Sequence, residues 1–206
     1  ANEVVKFVGE EVAFVVAETL NQAKDAAELI NVDYKTLPTV IDAEEALEES
    51  APQVWPDCPG NLCFATEMGD KKATEAAFAS AKHIVKLRSI VNRASANTIE
   101  ARGTNADYDP ASGHCTVYVG TQGAFGMRKT LAELIFNDAE NNFRVITGNI
   151  GGSFGMKQVY AETLMTVWAS RKLHRPVKWE NERTDSILSD YHGRDKISDT
   201  ELALDA

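Results

Sequence analysis

Residues 143–173 read FRVIT GNIGGSFGM KQVYAETLMTVWASRKL, and this stretch decides the fold class of the chain around it. A short β-branched run, a glycine-rich turn and a long segment with apolar residues at helical spacing predict a strand, a loop and a helix in succession. The predicted bounds are Phe143–Thr147 for the strand, 148–155 for the loop and about Lys157–Leu173 for the helix. The same order occurs just upstream, with a strand at Cys115–Gly120 and a helix at Arg128–Phe136. Two strand–loop–helix alternations predict an α/β arrangement.

Further strands are predicted on both sides of this region. Their bounds are His83–Val91, Gly103–Tyr108, Pro176–Trp179 and Ile197–Leu204, and Asp70 is placed to cap a helix over Ala73–Ala81. No partner strand is predicted beyond Leu204, and a lone terminal strand leaves its backbone groups unpaired. The chain also begins without Met. We therefore expect it to be a fragment of a longer protein.

The first forty residues predict a small β-β-α-β unit. Its strands are predicted at Val4–Val8, Glu11–Ala17 and Val32–Tyr34. The intervening helix is predicted to run to about Ile30, because Thr19 and Gln22 have the spacing of a capping box. A short acidic helix over Asp42–Glu49 is expected to present a solvated face.

The best candidate for a domain boundary is a proline-rich loop with Pro52, Pro56, Pro59 and Gly60. We therefore predict two domains, 1–60 and 61–206. The first is a small α+β unit and the second an α/β unit, so the predicted fold class is α+β overall.

Composition excludes several classes of protein. The 206 residues carry a formal net charge of −10 and 44% hydrophobic residues, which is ordinary for a globular protein. An isoelectric point near 4.9 argues against a nucleic-acid partner, because phosphates require a basic surface. The longest strongly apolar run, at residues 12–17, is far shorter than the roughly 20 residues of a membrane-spanning helix. We expect no nucleic-acid binding and no membrane span.

The cysteines favour a reducing compartment. Cys58, Cys63 and Cys115 are an odd number in a chain too long for a disulfide-stapled fold. Cys58 and Cys63 could form half of a metal site, but the spacing of the other candidate ligands favours free thiols. A cytoplasmic location is the expectation that follows.

The glycine-rich loop before Lys157 is the first candidate for function. Glycines allow close approach of a ligand to the backbone, and amides at the start of a helix favour an anionic or oxo group. The loop lacks the Gly-Lys-Ser/Thr of a phosphate-binding Walker loop and the GxGxxG spacing of a Rossmann turn. A glycine turn without a ligand explains the spacing equally well.

Residues 151–155 also fit the G-x-S-x-G pattern of a serine hydrolase, with Ser153 as the nucleophile. Asp185 or Asp190 with His192 could complete a triad in the required chain order. These residues follow too soon for the remaining strands of a hydrolase sheet, and no HGG-type oxyanion segment is present. The hydrolase is therefore the less favoured alternative.

Gln122, in the turn after strand Cys115–Gly120, is the second candidate, because its amide offers two donors and an acceptor. Glu100 and Arg102 are interpreted as a structural ion pair. A stripe at helical spacing predicts core positions at Tyr160, Leu164, Val167 and Trp168. A solvated loop is predicted to contain Asp185, Asp190, His192 and Asp195.

Four groups of residues together resemble a known family. They are FVGEEVA at 7–13 with AAELI at 26–30 and VDYKTLP at 32–38, YDPASG at 108–113 running into GTQG at 120–123, GGSFGMK at 151–157, and RPVKW at 175–179 with YHGRD at 191–195. Their order and spacing resemble the large subunit of the molybdenum hydroxylases, the family of xanthine dehydrogenase, aldehyde oxidase and carbon-monoxide dehydrogenase. The resemblance covers essentially the whole chain.

The resemblance implies that residues 1–60 end a hammerhead domain and that 61–206 begin a molybdopterin-binding domain. It implies a molybdenum–pterin cofactor, as a cytosine dinucleotide in bacterial members, that hydroxylates or oxidises a small substrate with oxygen from water. Electrons would pass to a 2Fe-2S subunit and an FAD subunit, and the remainder of the large subunit would be a further partner.

The family also implies roles for individual residues. Gln122 would face an oxo ligand of the metal, Phe154 would present backbone beside it, and Gln158 would lie in the substrate pocket. The residues that would contact the cofactor are Gln122, Gly123, Gly152, Ser153, Phe154 and Gly155.

The chain departs from the family pattern at several positions. Ser153 stands where many members have a third glycine, and Gln158 stands where purine-oxidising members carry Glu, which argues against purine substrates. Residues 97–102 lack the prolines that usually flank Glu100. The family's later half, with further pterin contacts and the catalytic glutamate or active-site cysteine, is not in this sequence. We therefore expect no catalytic residue in the fragment and no activity of the isolated chain. The alternative is a cofactor-free structural or assembly module.

Overall fold

The computed structural model describes residues 4–205. Within that range the helices are α1 (Leu20–Glu28), α2 (Lys71–Ser80), α3 (Ala124–Lys129), α4 (Ala161–Leu173) and α5 (Arg183–Ser189). The strands are β1 (His83–Val91), β2 (Gly103–Tyr108), β3 (Cys115–Val119), β4 (Phe143–Ile146), β5 (Val177–Glu180) and β6 (Lys196–Leu204). Among the same residues, no helix has the length and apolar character that crossing a bilayer requires.

The chain divides into two compact units. One contains the described residues up to 33 together with 95–192, and the other contains 34–94 together with the segment from 193 onward. Both units are discontinuous along the chain. The division into domains 1–60 and 61–206 concerns the sequence and stays a prediction.

The first unit is built on a four-stranded sheet in the order β4-β3-β2-β5. β3 and β4 are parallel, whereas β2 is antiparallel to both β3 and β5. The buried core includes Ala106 on β2, Cys115 and Val117 on β3, Met127 on α3 and Val167 on α4. The alternation of buried and exposed residues along β2 and β3 follows from the two-residue period of a strand.

The parallel pairing of β3 and β4 determines where the predicted functional loops lie. Tyr118 is opposite Ile146, and each strand ends within a residue of this pair. Because parallel strands end at the same edge of a sheet, the Gln122 turn and the glycine-rich loop both leave from that edge. The topology therefore brings together two segments that are about thirty residues apart in sequence.

The second unit contains the antiparallel pair β1–β6, with His83 opposite Leu204 and Val91 opposite Lys196. Lys86 pairs with Glu201 and Arg88 with Asp199 across one face of this ladder. The strand predicted at Ile197–Leu204 is therefore confirmed, and its backbone is paired with β1. The expectation that it lacks a partner was wrong, because the partner lies more than a hundred residues upstream.

The predicted helix after Thr19 is confirmed as α1, and both hydrogen bonds of the capping box are present. The strands predicted at Val4–Val8, Glu11–Ala17 and Val32–Tyr34 were wrong, because these segments form no ladder with any described residue. Apolar alternation favours extended backbone, but a strand also needs a neighbour with which to pair. The acidic helix predicted at 42–49 is limited to a 3₁₀ turn at Glu45–Leu47.

Two helices differ from the prediction near the glycine-rich loop. α4 begins at Ala161 and not at Lys157, because Tyr160 is in an extended conformation at the N-cap. The upstream helix begins at Ala124, directly after Gly123, and continues as a π-helical segment to Phe136. The predicted core stripe on α4 is confirmed for Tyr160 and Val167, whereas Trp168 is 49% exposed.

The cysteines of the described range are all free thiols. Cys58 and Cys63 lie with their Sγ atoms 4.0 Å apart. Cys115 is buried in the core, and this burial raises the pKa of its thiol to about 11. A thiol with such a high pKa is largely protonated at neutral pH, so Cys115 serves packing and not chemistry.

Candidate functional site

The turn after β3 and the loop after β4 meet through the side chain of Gln122. Its Oε1 accepts hydrogen bonds from the Ser153 hydroxyl and from the Gly155 backbone N–H, the latter at 3.2 Å. The backbone N–H of Gln122 donates to the Lys157 carbonyl at 3.4 Å. One side chain therefore holds two loops in a fixed relation.

These contacts fix which end of the Gln122 amide faces the loop. A backbone N–H such as that of Gly155 can only donate, so the atom that it meets must be the amide oxygen. The Nε2 group, with two N–H donors, then has no acceptor among residues 4–205. Because Gln122 is exposed, this donor is available to a ligand.

The loop conformation depends on glycine at particular positions. Gly152 and Gly155 have φ values of +94° and +95°, which β-carbon-bearing residues rarely adopt. A β-carbon on Gly151 would lie only 2.5 Å from the Cβ of Glu100. Phe154 itself has φ +51°, and its side chain is 80% exposed. A bulky residue held in the left-handed region at an exposed site is a common mark of a functional loop.

The same loop carries backbone donors that the protein does not use. In the described part of the chain, the N–H groups of Gly152, Ser153 and Phe154 have no acceptor. Unpaired backbone amides close to a free amide donor favour an anionic or oxygen-rich ligand. The donor set therefore fits a cofactor that presents phosphate or oxo oxygens.

The two remaining predicted residues lie beside this donor set. Gln158 is exposed, and its Nε2 donates to the Gly155 carbonyl at 3.3 Å. Gly123 is also exposed, its N–H bonds to Thr121 Oγ1 at 3.2 Å, and no atom would touch a β-carbon there. The structure thus brings all six predicted cofactor residues and Gln158 into one exposed region.

Glu100 does not pair with Arg102, so the predicted ion pair was wrong. Glu100 instead accepts hydrogen bonds from Lys157 Nζ at 2.5 Å and from the Gly151 N–H at 2.8 Å. The hydrogen bond from Lys157 is the main reason that the pKa of the Glu100 carboxyl is lowered. Glu100 therefore contacts the glycine-rich loop, whereas Arg102, two residues later, has other partners.

Arg102 is the centre of a buried polar network. Its guanidinium donates to Asp190 at 2.7 Å, to Glu162 at 3.0 Å and to the Ser189 hydroxyl at 2.7 Å. The three partners lie on α4 and at the end of α5. Asp190 was predicted in a solvated loop, and it is instead nearly fully buried.

Tyr160 connects this network to the glycine-rich loop. The Arg102 guanidinium lies 3.6 Å from the centre of the Tyr160 ring. The Tyr160 hydroxyl donates to the Met156 carbonyl at 2.7 Å, and burial raises the pKa of this phenol to about 12. The phenol therefore stays protonated at neutral pH and keeps its hydrogen bond to the end of the loop.

The hydrolase alternative is not supported by the geometry. The Ser153 hydroxyl donates to Gln122 and accepts from the Lys157 N–H, and no imidazole or carboxylate of the described residues contacts it. His192 lies elsewhere, with its Nε2 2.9 Å from the Ile187 carbonyl. A serine nucleophile needs a base within hydrogen-bond reach.

We therefore predict that Ser153 in the full-length protein does not react with a fluorophosphonate probe. Its proton is engaged by an amide oxygen that cannot act as a base at neutral pH. The measurement is mass spectrometry of the labelled peptide, with an active serine hydrolase as the positive control. Labelling that disappears in Ser153→Ala would contradict the prediction.

Comparisons with known proteins identify the family of the chain. Residues 54–206 match the family described as "Molybdopterin cofactor-binding domain", and residues 1–38 match "Aldehyde oxidase and xanthine dehydrogenase, a/b hammerhead domain". The chain belongs to the molybdenum hydroxylase large-subunit family. The resemblance and the α+β fold class predicted from the sequence are both confirmed.

The relatives of this chain are similar to it over almost all of its residues. The carbon monoxide dehydrogenase large chain of Hydrogenophaga pseudoflava is 35% identical over 98% of this chain and 27% of its own length. A 6-hydroxypseudooxynicotine dehydrogenase complex subunit gamma of Paenarthrobacter nicotinovorans is 35% identical over 98% of this chain and 25% of its own length. The chain therefore spans about a quarter of these relatives.

The solved structures give the same result for the fold. Quinoline 2-oxidoreductase from Pseudomonas putida 86 superimposes with a TM-score of 0.90 at 34% identity, covering 100% of this chain and 26% of that one. The Cu,Mo-CO dehydrogenase superimposes with a TM-score of 0.83 at 32% identity, covering 89% of this chain and 25% of that one.

The sequence analysis did not indicate the charged residues that hold the candidate site in place. Lys157 was assigned to a helix, and Glu162 was not singled out. Each makes its ion pair with a residue more than fifty positions away. The signal that could have indicated them is a charged residue within an otherwise apolar-periodic stretch, which is rare unless the charge is paired.

Proposed function

We propose that this chain forms part of the molybdenum–pterin site of an oxidoreductase that hydroxylates or oxidises a small substrate. The observation that carries the proposal is the Gln122 amide, whose oxygen is held by Ser153 and Gly155 while its two N–H donors remain free. When bound, the cofactor would supply oxygen transfer from water and accept the electrons removed from the substrate.

The residues of the chain have distinct roles in this proposal. Gln122 Nε2 donates to an oxygen of the cofactor, and its orientation is preset, so no reorganisation is needed on binding. The free amides of Gly152, Ser153 and Phe154 offer further donors to oxygen atoms. Gly123 and Gly155 leave space for close approach because neither has a side chain.

Gln158 is proposed to face the substrate. Its amide is neutral at all accessible pH values and donates to the Gly155 carbonyl. A neutral amide can orient a polar atom of a substrate but cannot take up a proton. This favours an aldehyde, a heterocycle other than a purine, or carbon monoxide as the substrate. The names of quinoline 2-oxidoreductase, of the 6-hydroxypseudooxynicotine dehydrogenase subunit and of the carbon monoxide dehydrogenase large chain are consistent with this range.

The partners follow from the relatives and are also proposals. Because the chain spans about a quarter of those relatives, the rest of the large subunit is its first partner. Subunits with 2Fe-2S clusters and FAD would receive the electrons, since none of the three cysteines has cluster spacing. We further propose the cytosine dinucleotide form of the pterin and a cytoplasmic location.

The test is metal and pterin analysis of the full-length protein co-expressed with its neighbouring subunits. We expect stoichiometric molybdenum by mass spectrometry and release of cytidine monophosphate on oxidative hydrolysis of the pterin. The isolated 206-residue chain should contain no molybdenum, because it supplies only two of the loops that surround the cofactor. A full-length complex that is folded and free of molybdenum would overturn the proposal.

A further inference from the structure

Lys157 is a charged residue in an unusual place. Its side chain has no exposed surface, although it stands directly after an exposed loop. Burial of an ammonium group is strongly unfavourable unless the charge is paired and hydrogen-bonded. The pairing group is Glu100, whose Oε2 lies 2.5 Å from Lys157 Nζ.

The Glu100 carboxylate also holds the start of the loop. The same Oε2 accepts the Gly151 N–H at 2.8 Å, and the Glu100 N–H donates to the Gly151 carbonyl at 3.2 Å. The Glu100 side chain occupies the space in which a β-carbon at position 151 would lie. Glu100 thus holds Gly151 in place through two hydrogen bonds and direct packing.

The backbone of Lys157 holds the other loop. Its carbonyl accepts the Gln122 N–H at 3.4 Å and the Thr121 hydroxyl at 3.3 Å. Lys157 is therefore linked through its side chain to Glu100 and Gly151, and through its backbone to the turn that carries Gln122. The loop between residues 151 and 157 is fixed at both of its ends.

We propose that Glu100 and Lys157 are positioning residues whose ion pair, with a buried ammonium and an exposed carboxylate, holds the 151–155 loop in place against the Gln122 amide. Neither side chain touches the Gln122 amide, so both act through the backbone that they hold. The inference rests on the proposed function, because the consequence is a change in how the cofactor is seated.

The glycines of the 151–155 loop explain why the ion pair is needed to fix its conformation. A segment with two glycines at positive φ has little intrinsic preference for one conformation. Without the ion pair, a buried ammonium would draw the chain toward water and displace Gly151. A displacement of about 1 Å at a site of this kind can cost roughly 100-fold in rate.

The test uses the full-length holoenzyme with three variants: Lys157→Met, Glu100→Gln and the double variant. Lys157→Met preserves most of the buried volume and leaves a carboxylate that can reach water. Glu100→Gln leaves the ammonium unpaired, and the double variant removes both charges together. The readouts are molybdenum content, turnover per bound molybdenum, melting temperature and the electron paramagnetic resonance signal of the partly reduced metal.

We expect each single variant to lose about ten- to a hundred-fold in turnover per bound molybdenum and to show shifted resonance lines, because the unpaired ammonium or the unpaired carboxylate moves toward water and Gly151 loses its hydrogen bond to Glu100. The double variant should recover most of the turnover and the original lines, because a neutral pair no longer draws the loop toward water. Lys24→Met is the matched control, since Lys24 pairs with Glu182 at the surface of the same unit. That variant should behave as wild type in every readout.

Two results would overturn the positioning role. One is a single variant with a lower melting temperature but unchanged turnover per molybdenum and an unchanged resonance signal, since that describes a purely structural pair. The other is a double variant as impaired as Glu100→Gln. If Glu100→Gln does not fold, Lys157→Met and the double variant still decide the question. Absence of molybdenum from the wild type would instead contradict the proposed function.

Discussion

Replacing Gln122 by alanine in the full-length enzyme should lower turnover per bound molybdenum by about a hundred- to thousand-fold. The side chain provides a preorganised donor, and loss of one such donor typically costs roughly 2.7–4 kcal/mol of transition-state stabilisation. The stability cost should be smaller, about 1 kcal/mol, because the lost hydrogen bonds lie at an exposed site. The measurement compares turnover per molybdenum with the melting temperature.

The matched control for this prediction is Gln53→Ala. Gln53 is also an exposed loop glutamine, but its amide donates to the carbonyls of Trp55 and Pro56 and has no free donor to offer. Its replacement should leave turnover per molybdenum unchanged. A Gln122→Ala enzyme with normal turnover and a lowered melting temperature would remove Gln122 from the site and leave it a structural role.

The part of this site that could be predicted from sequence is the part determined by local pattern. The glycine-rich loop after Phe143–Thr147 and the Gln122 turn after Cys115–Gly120 both follow β-branched runs, and a strand can be read from such runs directly. Both lie at strand ends, where α/β proteins usually bind ligands. The structure adds that β3 and β4 are parallel neighbours, which is why the two turns meet.

The part that could not be predicted depends on contacts between distant residues. Lys157 lies 57 positions from Glu100, and Arg102 lies 60 positions from Glu162 and 88 from Asp190. No periodicity in the sequence connects them. Glu100 and Arg102 were paired with each other on proximity alone, but each has its partner in a distant part of the chain. The same lack of long-range information explains the missed ladder between β1 and β6.

The second large effect is expected for Arg102→Met. This substitution would leave Glu162 and Asp190 as buried carboxylates without their cation, which typically costs about 3–5 kcal/mol. The loss of stability should be greatest where the Arg102 network joins α4 to the end of α5. In the full-length protein, we expect amide hydrogen exchange in α5 and at Asp190 to accelerate by roughly a hundred-fold or more, because local opening is favoured by the same free energy.

The control for Arg102→Met is the same substitution at Arg175, which pairs with Glu18 at an exposed site of the same unit. An exposed pair contributes about 0–1 kcal/mol, so exchange in α5 should not change. The triple variant Arg102→Met, Glu162→Gln, Asp190→Asn should recover much of the lost protection, because no unpaired buried charge remains. Equal exchange rates in Arg102→Met and Arg175→Met would show that the buried network does not hold α5. In that case the hydrogen bond from the Tyr160 hydroxyl to the Met156 carbonyl would hold the end of the glycine-rich loop without support from the Arg102 network.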